Sequence, residues 1–364
     1  MKITIAERLH PFSHVFGTKF PLPKSSIAVQ VFPTRLQFFD LDHKIAPFNI
    51  DLMFAGPVKE FTAELDLELG LIRVFGRTKE GFMRYLLQAA PGGIALTMEK
   101  SPSDKVECRH SLSPQPIFLA KQENLHIPLA IQGLTNPPIQ ERLSLGMHKA
   151  QDWESICRRM DFMEIFPIWH RLSAWMTAGV PSKEGNGVLL DACQKKIDDL
   201  DKVSVLDAFE NFFLAAFEGV LTPQLFDTQY QGILPRVVAK EAISPLFLLT
   251  EGGQLIRSLF FQENPREVAI LPCLPAQFHC GRMTGIETSQ GSVVDFEWTK
   301  KSLRRLRLIA PQSGEIRLKL PKGIASCRMR VGRKTIKCPA IDSSGIMIFE
   351  LNANQTVHLD RFAR

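Results

Sequence analysis

Asp161 and Glu164 stand three residues apart, so a helix through them places both carboxylates on one face. Trp169, His170 and Trp175 follow on the next turns. Carboxylates beside aromatic rings suit a sugar, because a pyranose offers one apolar face to a ring and a rim of hydroxyls to acceptors. A pair of carboxyls can also hydrolyse a glycosidic bond, one protonating the leaving oxygen while the other activates water. The structural alternative puts Asp161 and Glu164 on a solvated face, Trp169 and Trp175 in the core, and makes His170 a satisfied histidine. A second polar group, Asp227, Tyr230 and Gln231, lies in FDTQYQG between helical patterns, where a loop can grip hydroxyls or simply cap a turn.

Other chemistries find little support. The chain has no Gly-rich phosphate loop, no H-E-x-x-H and no G-x-S-x-G. His279 and Cys280 are adjacent, and neighbours on a strand point to opposite faces, so they make no dyad. Seven cysteines without a C-x-x-C pair argue against a disulfide framework or a zinc ribbon and fit reduced thiols in the cytoplasm. No metal or other cofactor is expected. From Leu271 to Arg364 sixteen Lys/Arg face seven Asp/Glu, although the whole chain carries only +6. Arg305 and Arg307 alternate with Leu306 and Leu308, and Arg328, Arg330, Arg333 and Lys334 follow. This basic sheet is either a solvated face or an anion-binding surface. Interleaved aromatics for stacking bases are missing, which disfavours nucleic acid.

The elements that must carry these residues fall into three stretches. With 364 residues, 45% hydrophobic and 23% charged, the composition is that of a globular protein of two or three domains. No apolar run reaches the ~18 residues of a membrane span, and the first residues lack a secretory core. Residues 1–131 read as short strands with turn signals, as in FTAELDLELGLIRVFGR, and predict a β-sandwich. Residues 132–267 change to helical spacing, with five or six helices: Met147–Met160, Phe162–Met176 with Pro167 beginning or kinking it, Val188–Leu200, Ser204–Gly219 and Ser244–Gln262. Ser204 and Asp207 suggest a capping box, and Gly252-Gly253 should weaken or break the last helix. Asp198, Asp199 and Asp201 sit near a helix end that disfavours acids. Residues 268–364 read as strands again and predict a second β-sandwich, entered through a proline-stiffened extended linker, Leu271–Pro275.

That order meets a specific local pattern. Ile270-Leu271-Pro272-Cys273-Leu274-Pro275, then Gly281, Gly285-Ile286, Gly291 and Phe296-Glu297-Trp298, resembles the junction after the barrel in glycoside hydrolase family 95, the α-L-fucosidase type of the six-hairpin glycosidases. Phe61–Leu67 (FTAELDL), Ile72-Arg73-Val74, Gly81-Phe82 and Arg84-Tyr85 resemble that family's N-terminal sandwich, without its arginine pair. The resemblance implies an (α/α) barrel between two sandwiches. Twelve helices with their loops need roughly 200 residues, so the helical stretch here should be a contracted or open barrel.

The resemblance also implies an acidic pit, and here the chain departs from the pattern. The family carries Asp-Gly-Asn-Phe-Gly-Gly before its last helix. Counting back from Pro272, the equivalent is Leu246–Gly252 (LFLLTEG), where the aspartate's place is apolar and Glu251 lies one turn away. The candidate carboxylates are therefore Glu251, Asp227, Asp161 and Glu164, with Trp169, His170, Tyr230 and Gln231 as candidate sugar contacts. A metal-free hydrolase with paired carboxylates and a non-catalytic sugar-binding or protein-interaction scaffold both remain open, with an oligosaccharide or glycan as the expected ligand. An anion or nucleic-acid binder using the basic sheet is the weaker alternative.

Overall fold

The structure is a computed structural model, and it describes residues 2–130, 140–146, 149–229, 231–232, 243–265, 267–332 and 334–363. The N-terminal part is a β-sandwich of two six-stranded antiparallel sheets. One runs in the order Phe12–Ser13, Lys59–Asp66, Leu71–Arg77, Phe82–Ala90, Gly93–Lys100, Asn124–Pro128. The other runs Ser113–Ala120, Lys105–His110, Phe48–Met53, Arg35–Asp40, Ile27–Val31, Thr18–Pro21. Alternation decides which side chains go inside: Leu36, Phe38 and Asp40 are buried on one strand while Arg35, Gln37 and Phe39 are not. Tyr85 of the first sheet and Cys108 of the second are both fully buried in the core between the two sheets.

Five helices follow among the described residues: α1 (Trp153–Arg159), α2 (Phe162–Ser173), α3 (Gly187–Asp198), α4 (Val205–Ala216) and α5 (Leu246–Phe260). Each sequence-predicted helix is present but shorter. α1 begins only at Trp153 because the Asp152 carboxylate caps it, accepting from the Ser155 N–H at 3.4 Å and from the Ser155 hydroxyl at 2.9 Å. α2 starts at the Asp161 cap and continues through Pro167, which neither begins nor ends it. α3 stops at Asp198, since Leu200 turns to a φ of 53°. The Ser204–Asp207 capping box does not form. Asp201 takes that place, accepting from the Ser204 backbone N–H at 3.1 Å and from its hydroxyl.

α2 lies at the centre, packed against α5, and α5 in turn packs against α3. Gly252-Gly253 leaves α5 intact, contrary to expectation. A Cβ on Gly252 would overlap the Trp169 ring, and one on Gly253 would overlap the Ser173 side chain. These glycines let α5 come close to α2, where the Trp169 indole N–H donates to the Leu249 carbonyl at 3.0 Å. Trp175 fastens the helices to the N-terminal sandwich, donating to the Leu67 carbonyl at 2.8 Å against Gly70, whose missing Cβ leaves room for the ring.

The C-terminal part is a seven-stranded sheet with a four-stranded one. The seven strands run Arg142–Ser144, Cys280–Glu287, Val293–Thr299, Ser302–Ala310, Gln355–Ala363, Ser326–Val331, Lys334–Ile336. The four run Phe261–Glu263, Val268–Ile270, Gly314–Lys319, Ile346–Leu351. Two short pieces of the helical stretch thus join these sheets, Arg142–Ser144 and Phe261–Glu263. Leu271–Pro275 is not an extended linker. Leu271 has a φ of 52°, and its N–H and that of Cys273 donate back to the Phe260 and Leu259 carbonyls at 2.7 and 3.2 Å. α5 hands over to β-structure earlier, at Phe261, because the hairpin Phe261–Glu263/Val268–Ile270 forms directly on its end. No helix among the described residues is long and apolar enough to cross a membrane.

Candidate functional site

Most residues that look chemical in the sequence have structural work here. Asp161 caps α2, its carboxylate accepting from the Met163 N–H at 2.9 Å. It therefore precedes the helix and shares no helical face with Glu164. Glu164 is buried and held by the Arg159 guanidinium at 2.7 and 3.0 Å. The solvated-face reading fails for it because the first turn of α2 packs into the interior. Trp169 is fully buried among Phe209, Phe212, Phe213 and Phe217, so no sugar can reach its ring. His170 is buried too, its Nε2 3.3 Å from Glu141 Oε1. Arg257 of α5 adds Nε to both Glu141 oxygens at 3.0 and 3.1 Å. Burial pushes the Glu141 carboxyl up, but the His170 hydrogen bond and the charges of His170 and Arg257 outweigh it and hold it below the ordinary value. This cluster bolts α2 and α5 to the strand Arg142–Ser144.

Asp227 ties its own loop, accepting from the Gln229 N–H at 3.0 Å and from the Gly232 N–H. Gln231 is exposed and donates to the Gln229 side chain at 2.8 Å. Tyr230 lies outside the described residues. The structure thus gives Asp227 a turn to hold rather than a partner carboxylate.

Glu251 is different. It is half-buried on α5 and lines a hollow of about 250 Å³ with Phe247 and Leu255 of the same helix and Leu190, Asp191 and Gln194 of α3. Gln194 also lines a second hollow, of about 600 Å³, so both hollows border the α3–α5 seam. The second is walled by Asp198, Lys202, Ser258, Gln262, Glu263, Glu267 and Lys319, over Leu200, Pro272, Leu320 and Pro321. Helical periodicity makes the walls: Leu190, Gln194 and Asp198 on α3 and Phe247, Glu251, Leu255 and Ser258 on α5 recur every three or four residues. Buried Asn186 fixes the start of α3, its side-chain amide donating to the Ala215 and Gln224 carbonyls at 2.8 and 2.9 Å.

Most of the groove's carboxylates have a local donor. Asp191 meets Lys183 at 3.2 Å, Asp198 accepts from Gln194 at 2.7 Å, and Glu267 meets Lys319 at 3.4 Å. Glu263 accepts from the Ser289 N–H and hydroxyl at 3.0 and 2.7 Å. Sequence reasoning missed all of these except Glu251. One signal was visible: acids at the end of α3 oppose the helix dipole, so something other than helix stability places them. Asp201 is explained by its cap, while Asp198 lines the larger hollow and accepts from Gln194 one turn back.

The basic C-terminal strands alternate as expected, with Leu306 and Leu308 buried opposite Arg305 and Arg307. Their charges, however, are met across the sheet. Register aligns Arg282, Glu297, Arg305 and Asp360 on successive strands. Arg305 pairs with Glu297, Arg307 with Asp295 at 2.9 Å, and Arg328 and Arg330 with Asp360 at 2.7 Å each. This side of the sheet is an ion-pair ladder rather than an open cationic surface. Arg333 lies outside the described residues.

The sheets that end this groove carry the family signal. Residues 262–359 match the model of the glycoside hydrolase family 95 C-terminal domain. This part of the chain is glycoside hydrolase family 95-like. Its matched region contains groove residues Gln262, Glu263, Glu267 and Lys319. No curated protein matches the chain. Among solved structures, the GH127 beta-L-arabinofuranosidase Ara127N from Geobacillus stearothermophilus T6 aligns at 12% identity and a TM-score of 0.21, over 55% of this chain and 30% of that one. A second GH127 beta-arabinofuranosidase aligns at 10% identity and a TM-score of 0.22, over 55% and 31%. A further structure described as a glycoside hydrolase aligns at 11% and 0.22, over 58% and 30%. The chain thus spans less than a third of the length of each.

Proposed function

We propose that the chain binds an extended glycan along the α3–α5 seam and does not cleave it. The observation that carries this reading is the pair of hollows that share Gln194, each lined by both hydrogen-bonding and apolar side chains. A saccharide needs that combination, since its hydroxyls demand polar partners while its ring faces leave water favourably against apolar surface. The family match of the C-terminal sheets supports a glycan over other polymers of similar width.

Hydrolysis would need more. One carboxyl must be kept protonated by an apolar setting, and a second must stand roughly 6.5–9.5 Å away with room for water. Asp191 is 58% exposed and faces a lysine, while Asp198, Glu263 and Glu267 are each engaged by a local donor, Gln194, Ser289 and Lys319. Asp161, Glu164 and Asp227 are held elsewhere by caps and ion pairs. Glu251 alone does not make an acid–base pair.

A panel of oligosaccharides in a thermal-shift assay, run beside aryl glycosides, tests the reading. Stabilisation that grows with ligand concentration and no aglycone release is the expected result. Turnover that disappears in Glu251→Gln would replace binding with catalysis, and silence in both assays would reject the glycan.

A further inference from the structure

We propose that Cys327 and Cys338 form an intramolecular disulfide, a modification site on the C-terminal sheets. Cys327 lies on the strand Ser326–Val331, and Cys338 just follows the strand Lys334–Ile336 paired with it. Their Sγ atoms stand 2.9 Å apart, inside the contact distance of two unbonded sulfurs. Bond formation needs an approach of less than about 1 Å, since an S–S bond is about 2.0 Å. Cys338 Sγ also touches the Sδ of buried Met347 at 3.6 Å, which holds it in place from the four-stranded sheet. Both thiols are half-buried, so a small reagent reaches them, whereas Cys108, Cys193 and Cys273 are buried. The sulfur pair departs from the expectation of reduced thiols without a disulfide framework.

The oxidant is a small-molecule disulfide. One cysteine thiolate attacks a sulfur of that reagent, forms a mixed disulfide and releases one small thiolate. The second cysteine thiolate then attacks the protein-bound sulfur and displaces the other small thiolate. Two protein thiols are oxidised, the reagent is reduced to two thiols, and the two cysteine protons pass to the leaving thiolates. Burial, the contact with Cys338 and the charge of Asp360 all push the Cys327 thiol up, so exchange accelerates at alkaline pH.

The bridge would pin the segment that runs from Cys338 to the strand Ile346–Leu351. Ser344 in that segment lines the larger hollow, and Gly345 accepts a hydrogen bond from the Leu320 N–H at 2.9 Å. Oxidation therefore stiffens one rim of the groove. This consequence rests on the glycan reading, and the bridge does not.

The full chain is incubated with oxidised glutathione, residual thiols are alkylated, and the unreduced digest is read by mass spectrometry. The expected result is one cross-linked peptide joining residues 327 and 338, with two fewer titratable thiols. In Cys327→Ser the cross-link vanishes and Cys338 is recovered alkylated or glutathionylated. Alkylation of both residues in the wild type, glutathione retained on both, or pairing of either with a third cysteine overturns the proposal. Oligosaccharide affinity is then compared between the two redox states. Equal, measurable affinities reject the link to the rim, while absence of binding in both rejects the glycan reading and leaves the mass-read bridge standing.

Discussion

Around α2 the acids are buried and neutralised by basic partners, whereas along the α3–α5 seam the acids line open hollows. Glu141, His170 and Arg257 share hydrogen bonds in the interior, and Arg159 closes on Glu164. Asp191, Asp198 and Glu251 line hollows instead. The same residue types therefore serve cohesion in one region and line open hollows in the other, where the proposed glycan would be recognised. Burial is what separates the roles: an acid in the interior must have a permanent partner, while an acid on a wall can exchange its donor for a ligand hydroxyl.

The largest effect should come from the packed side. Trp169→Ala removes the ring that Gly252 and four phenylalanines enclose, and should cost about 4 kcal/mol of unfolding free energy by denaturant titration. A loss below about 1 kcal/mol would show that α2 and α5 are not packed as described. Glu141→Ala strands His170 and Arg257 and should cost about 3 kcal/mol in the same assay.

The pH dependence follows from Glu141. Its carboxyl is lowered in the folded chain from an ordinary value of 4.5, so its contribution is present above that value and is lost as pH falls through the folded one. The melting temperature should therefore drop on acidification, and Glu141→Gln should flatten that part of the profile. His10 works in the opposite direction. Its hydrogen bond to Glu64, helped by the charges of Asp66, Glu64 and Glu68 and opposed by burial, raises it above 6.5. That contribution is full below 6.5 and fades as pH rises through the folded value, so His10→Ala should remove a small alkaline decline in stability.

The groove should be the mirror image. Asp191→Ala and Gln194→Ala should change unfolding free energy by no more than about 0.5 kcal/mol, and should show themselves only when a saccharide is added. Destabilisation comparable to Glu141→Ala would mean that the two regions do not differ in role.

How much of this was legible in the sequence depends on which signal carried it. Strand alternation around Phe38 and Leu306 and helical spacing in Phe162–Ser173 gave the β, α, β order, because burial period is local. The proline and glycine spacing from Ile270 to Trp298 pointed to the family that the C-terminal match supports. Ends of elements were less visible. Gly252-Gly253 reads as a break, yet it answers a long-range demand from Trp169 and Ser173 that no local pattern reveals. Leu271–Pro275 reads as extended, yet its N–H groups fold back on α5. The site was the least legible part. Asp161 and Glu164 look paired along the chain, but one caps and the other is buried against Arg159. The groove draws on α3, α5 and the C-terminal sheets together, and only Glu251 was within reach of a motif.

Calorimetric titration with oligosaccharides of increasing length, using the wild type and Gln194→Trp, tests the groove most directly. Gln194 lines both hollows, so an indole there should crowd them and interrupt any ligand that spans the two. The account predicts affinity that rises with chain length in the wild type and a loss of that gain, about tenfold for the longest ligand, in the variant. Affinity that ignores both chain length and the substitution would contradict it.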